Sequence, residues 1–228
     1  MARKANKVQE ISLPFVGFLP RNEPLDAQPV YVAGKSDEEL LSLALDDDHA
    51  AAIIMATFTS IAEATSFNVQ DFIRRTGLGA EIHLKLRVAR ELAARFSAEK
   101  LTNRTVLQSY NVVVEYLRIR MATEYSEQVR VLFLDNKNHL ICDEVVGYGT
   151  IDHAPVYIRE LFFRAMQLGA KSMILSHNHP GGDATPSSSD IALTKSVVEA
   201  GKALDIAVHD HIIVSADNTF SFKGNGLI

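Results

Sequence analysis

The chain has 228 residues, 47% hydrophobic and 22% charged, with a net charge of -5, the profile of a folded soluble protein with one domain or two modest ones. The negative balance argues against broad electrostatic binding to nucleic acid, and a single cysteine excludes an internal disulfide and fits a reducing, cytoplasmic setting. No apolar run approaches the ~20 residues of a membrane-spanning helix, and the polar N-terminus lacks a signal-peptide core.

Residues 1–35 hold four of the seven prolines and little periodicity, and read as a flexible or extended arm with a basic tip at Arg3, Lys4 and Lys7. Residues 36–103 read as a helical module. Ser36 followed three positions later by Glu39 is a capping box that starts the first helix, and further helices are expected over 49–65, 69–75 and 80–97. Between the last two, Gly77-Leu-Gly79 resembles the glycine turn of a helix-hairpin-helix, which can offer backbone N–H groups to a DNA phosphate. A plain helix–helix turn reads the same way. Asp71 to Lys100 carry seven basic against four acidic residues, a mild local excess.

Residues 98–108 read as a join, and 104–228 as a mixed domain. A helix over 109–124 precedes a strand at Val129–Leu134. Asp135-Asn-Lys-Asn138 is turn chemistry, and a second strand over 139–146 completes a hairpin. A helix near 155–168, an apolar strand over 170–176, a helix over 187–204 and strands near 207–214 and 218–222 follow. The fold class expected is α+β, an all-helical module followed by a mixed sheet flanked by helices.

The chemistry concentrates in Ser176-His-Asn-His-Pro-Gly-Gly-Asp-Ala-Thr-Pro-Ser-Ser-Ser-Asp190. In extended backbone His177 and His179 point to the same side, and Asp190 opens the following helix after a Pro-Gly-Gly loop. Two imidazoles and one carboxylate make a three-ligand zinc site with a fourth position open to water. Ser187 followed by Asp190 also has the form of a helix N-terminus, in which both side chains satisfy backbone donors. A catalytic zinc needs a base, and two glutamates compete: Glu127, just before the first strand, and Glu144, in the second. Cys142 reads as a small buried residue, Asp183 as a turn former, and Asp210 and His211 as either a polar core pair or partners of a ligand. His209 is not expected to be a ligand.

His-x-His, seven residues, Ser, two residues, Asp is the metal signature of the JAB/MPN (JAMM) metallohydrolases. From about Gln108 to the C-terminus the text resembles the RadC branch of that family, including Gly149-Thr150, Tyr157-Ile-Arg-Glu160 and Asp210-His211. Gly181 stands where the family usually carries serine, and His209 where an aliphatic residue is common. The resemblance implies a JAB/MPN-like domain with Zn²⁺ on His177, His179 and Asp190. It also implies Glu127 as general base, Ser187 as donor to the oxyanion, and hydrolysis of peptide or isopeptide bonds in a peptide or protein substrate. The same resemblance carries an association with DNA repair. The alternatives are therefore a metal-dependent phosphodiesterase that contacts DNA through the helical module, or a non-catalytic adaptor.

Overall fold

The computed structural model describes residues 32–102, 110–149 and 156–228. Most of the expected arm over 1–35 and most of the join over 98–108 lie outside them. Ser36–Ile228 form one compact unit.

Helix α1 (Asp37–Leu45) begins at the expected capping box: the Ser36 hydroxyl accepts from the Glu39 N–H, and the Glu39 carboxylate accepts from the Ser36 N–H at 2.8 Å. The single helix expected over 49–65 is two. Helix α2 (Asp48–Thr57) ends at Phe58, and the Ser60 side chain caps a new short helix, α3 (Ile61–Ala64). The hydroxyl at position 60 gives the backbone an alternative to continuing the first helix. Helix α4 (Val69–Thr76) closes on Gly77, whose φ of 72° is left-handed and suits glycine. Helix α5 (Ala80–Thr102) runs farther than expected, into the region read as the join. Leu41, Leu45, Ile54, Phe58, Phe72 and Leu86 are among the buried residues of this first core.

Helix α6 (Tyr110–Met121) leads into β1 (Gln128–Leu134), which pairs antiparallel with β2 (Leu140–Tyr148). The turn between them is held by Asp135, which accepts from the N–H groups of Lys137 and His139, both at 2.8 Å. Then come α7 (Ile158–Gln167), β3 (Ser172–Asn178), α8 (Ser188–Ala203), β4 (Ala207–Val214) and β5 (Thr219–Ser221). The sheet order is β2-β1-β3-β4-β5, with β3 and β4 parallel across the α8 crossover and the other neighbours antiparallel.

Two-residue alternation sorts the strand side chains onto two faces. Leu132, Leu134, Ile174, Ile212 and Val214 pack against α6. Val131, Phe133, Met173 and Leu175 pack against α7 and α8. Continuing the β3 alternation, His177 falls on the α8 side, where Asp190 opens that helix. Among the described residues no helix is long and apolar enough to cross a membrane.

Candidate metal centre

His177 is the penultimate residue of the buried central strand β3 and is 2% exposed, while His179 begins the loop that follows. Asp190 reaches the same point from α8. Ser187 is the helix N-cap: its hydroxyl accepts from the Asp190 N–H and also donates to Asp190 Oδ2 at 2.7 Å, and the Ser187 N–H donates to the same oxygen at 2.7 Å. Asp190 is thus held by the cap of its own helix, with Oδ1 toward His177 and Oδ2 toward His179.

The three donor atoms converge. His177 Nε2 lies 2.9 Å from His179 Nε2 and 3.3 Å from Asp190 Oδ1, and His179 Nε2 lies 3.6 Å from Asp190 Oδ2. A tetrahedral zinc with bonds of about 2.0–2.1 Å needs donor atoms about 3.3 Å apart. The observed spacings, measured to the two oxygens of one carboxylate, lie on either side of that value, so the three side chains suit such an ion.

The hydrogen bonds behind the rings select the tautomers a metal requires. His179 Nδ1 is 2.7 Å from the Asp183 carbonyl oxygen. A carbonyl only accepts, so Nδ1 carries the proton and Nε2 is left with its lone pair. For His177 the argument runs through three residues. The Thr194 hydroxyl donates to the Asp190 carbonyl at 2.6 Å, so it accepts from His211 Nδ1, also at 2.6 Å. Complete burial pushes the His211 pKa well below its usual value, so this ring is neutral and its Nε2 is bare. That atom lies 2.8 Å from His177 Nδ1 and accepts its proton, leaving His177 Nε2 free for a metal.

Burial works to raise the Asp190 carboxyl, but hydrogen bonds from His177, His179 and Ser187 hold it well below the usual carboxylate range. The hydrogen bond to Asp190 is also the main reason the His179 pKa is raised, with smaller contributions from the Asp183 carbonyl and the charges of Asp190 and Glu127. A cation entering the site competes with the proton that these contacts favour on His179.

Glu127 and Glu144 are separated by the fold. Glu127 immediately precedes β1, two residues before Val129, which pairs with His177 of β3, and its carbonyl accepts from the Gly149 N–H at 2.8 Å. Its carboxylate is close enough to contribute to the charge felt by His179. Glu144 is committed elsewhere: both oxygens receive Arg164 Nε of α7, at 3.1 and 2.9 Å.

The remaining candidates divide as follows. Cys142 donates to Glu144 at 3.2 Å, and burial pushes its thiol pKa up, so nothing activates it as a nucleophile. Asp183 shapes its turn by accepting from the Thr185 N–H and hydroxyl, and its backbone carbonyl sets the His179 tautomer. Asp210 holds the β4–β5 end by accepting from the Ser221 hydroxyl at 2.5 Å and the Lys223 N–H at 2.9 Å. His211, its neighbour, is hydrogen-bonded to the candidate ligand His177. His209 is skipped in the β3–β4 register, where Met173 pairs with Val208 and Ile174 with Asp210. This bulge sets it apart from the site, and its Nε2 meets Asn138 Oδ1 at 2.6 Å. Two residues with roles here went unremarked in the sequence. Thr194 stands four residues after Asp190, a spacing that puts a hydroxyl on the preceding helical turn. Asn178 separates the two histidines.

The family described as RadC-like JAB domain matches residues 107–227, more than half of the 228-residue chain. The match spans the sheet, the three converging donors and both glutamates, and this chain belongs to the RadC-like JAB domain family.

Proposed function

We propose that the chain is a zinc-dependent hydrolase that cleaves peptide or isopeptide bonds with an activated water. The observation that carries this reading is the spacing of 2.9, 3.3 and 3.6 Å among the donor atoms of His177, His179 and Asp190. Three side-chain donors leave one position open, the arrangement of a catalytic rather than a structural site. A zinc ion held there lowers the pKa of a bound water to about 7 and polarises a substrate carbonyl.

The residues divide the remaining work. Glu127, beside the ligand strand, takes the proton of the attacking water and delivers it to the leaving nitrogen. Ser187, exposed at the N-terminus of α8, orients Asp190 through its hydroxyl and turns that proton toward the oxyanion as charge develops on the substrate. His211 and Thr194 keep His177 in the ligating tautomer. The substrate class rests on the family and the cytoplasmic setting on the single cysteine; a DNA contact at the exposed Gly77–Gly79 turn belongs to the rival reading.

The test combines metal analysis with turnover. Purified protein should hold about one zinc per chain, Asp190→Ala should lose it, and Glu127→Gln should keep it while losing cleavage of peptide and isopeptide substrates. Absence of zinc in the wild type after incubation with excess metal would overturn the proposal. Zinc with cleavage of phosphodiesters only would move the chain to the DNA-directed alternative.

A further inference from the structure

Asn178 lies between the two histidine ligands, and its side chain is fully buried. Its three hydrogen bonds converge on one short segment. Oδ1 accepts from the Gln128 N–H at 2.9 Å, and Nδ2 donates to the carbonyls of Ser126 at 3.1 Å and Glu124 at 3.3 Å. The residue enclosed by these contacts is Glu127. Its two chain neighbours are gripped by one amide, and its own carbonyl is fixed from the other side by the Gly149 N–H at 2.8 Å.

We infer that Asn178 is a positioning residue for the general base: it couples the segment carrying Glu127 to the strand carrying the metal ligands, and so sets the distance between them. The inference rests on the zinc-hydrolase reading and goes beyond it. Its chemistry is specific to this side chain. An amide offers an acceptor and two donors in one plane, which is what one N–H and two carbonyls demand. Aspartate keeps the acceptor but turns an oxygen lone pair toward two carbonyl oxygens. Serine is too short to span the same three groups, and leucine would leave buried backbone groups unpaired. The backbone at 178 also fixes the coupling, because His177 and His179 are its direct neighbours. A displacement of the Glu124–Gln128 segment therefore cannot occur without breaking contacts made from the ligand strand itself.

The experiment needs no substrate. Cobalt(II) replaces zinc, and acetohydroxamate is titrated in while the visible cobalt bands are followed. A hydroxamate chelates the metal through two oxygens and gives its proton to a neighbouring carboxylate, so its affinity reports where Glu127 stands. Wild type, Glu127→Gln, Asn178→Asp and the double variant should each bind one cobalt. Glu127→Gln and Asn178→Asp should each weaken acetohydroxamate about tenfold, the scale of one charge-assisted hydrogen bond. The double variant should be no weaker than Glu127→Gln alone, because both changes remove the same contact.

Wild-type affinity in Asn178→Asp, or effects that multiply in the double variant, would overturn the positioning role while leaving the metal site intact. Failure of the wild type to bind cobalt would overturn the hydrolase reading and this one with it. Cobalt binding with acetohydroxamate affinity unchanged in Glu127→Gln would remove Glu127 as the base, and with it the role of Asn178. If Asn178→Asp fails to bind cobalt, Asn178→Ala takes its place, leaving room for water. Loss of cobalt in both would make Asn178 part of the general fold and overturn the specific role.

Discussion

The imidazole of His211 stands behind that of His177, Nε2 to Nδ1 at 2.8 Å, and both rings are buried. The contact joins a candidate metal ligand on β3 to a side chain on the parallel strand β4, and it continues through Thr194 to the backbone of Asp190. One chain of hydrogen bonds thereby links His177 to the helix turn that carries Asp190. Replacing His211 with alanine should weaken zinc binding by about 10- to 100-fold, the usual effect of deleting a ligand's hydrogen-bond partner. Competition against a chromogenic chelator measures it; affinity within twofold of wild type would mean that His177 needs no such support.

Proton and metal compete for His179, and the two consequences run in opposite directions with pH. Its pKa is raised in the folded protein, chiefly by the hydrogen bond to Asp190. In the metal-free protein that contribution to stability is fully present below the unfolded value of about 6.5 and is lost as pH rises through the folded value. Zinc needs the neutral ring, so its affinity should climb over the same interval. Melting of chelator-treated protein, set beside zinc competition at about pH 6 and about pH 8.5, should therefore show stability from this pair falling while affinity rises.

Glu127 and Glu144 should respond differently to the same substitution. Glu144→Gln loses a solvent-screened pair with Arg164, a change of little consequence for stability, and turnover should stay at the wild-type level. Glu127→Gln should cut turnover by about 10²–10⁴ with zinc content unchanged. Steady-state rates and metal analysis on the two variants decide it, and a reversed pattern would exchange their roles.

Gly201 lies on α8 where that helix crosses β4. A Cβ there would sit 2.5 Å from the Ile206 carbonyl oxygen and 3.3 Å from Val208, too close for either to stay in place. Gly201→Ala should destabilise the protein by about 1–3 kcal/mol, visible as a lower melting temperature. An unchanged melting temperature would show that α8 can lift from the sheet.

Legibility in the sequence followed the range of the interaction. His177, His179 and Asp190 were readable because each depends on local geometry: alternation along one strand for the histidines, and a helix cap for the aspartate. The capping box at Ser36 was readable for the same reason. The function of His211 was left open because it depends on Leu175 pairing with His211 across parallel strands, a long-range register that no local pattern encodes. His209 illustrates the same limit, since alternation groups it with His211 and a bulge separates them. The pairing of Glu144 with Arg164 is not legible in the sequence, because it joins residues on β2 and α7. The division of 49–65 into two helices was local in origin, with the Ser60 cap as its signal.

The place of β3 in the sheet has a consequence for how the site would empty. The strand has ladder partners on both sides, β1 and β4, and its side chains are buried along its whole length. A centre built on such a strand does not wait for its ion in order to take shape, unlike a zinc finger, which is unfolded without metal. Removing an ion would leave His177 fixed in the middle of the sheet, with His179 in the loop that follows and Asp190 in the capped first turn of α8. Chelation and denaturation should then be separate events, with a folded, metal-free state between them that reloads without refolding.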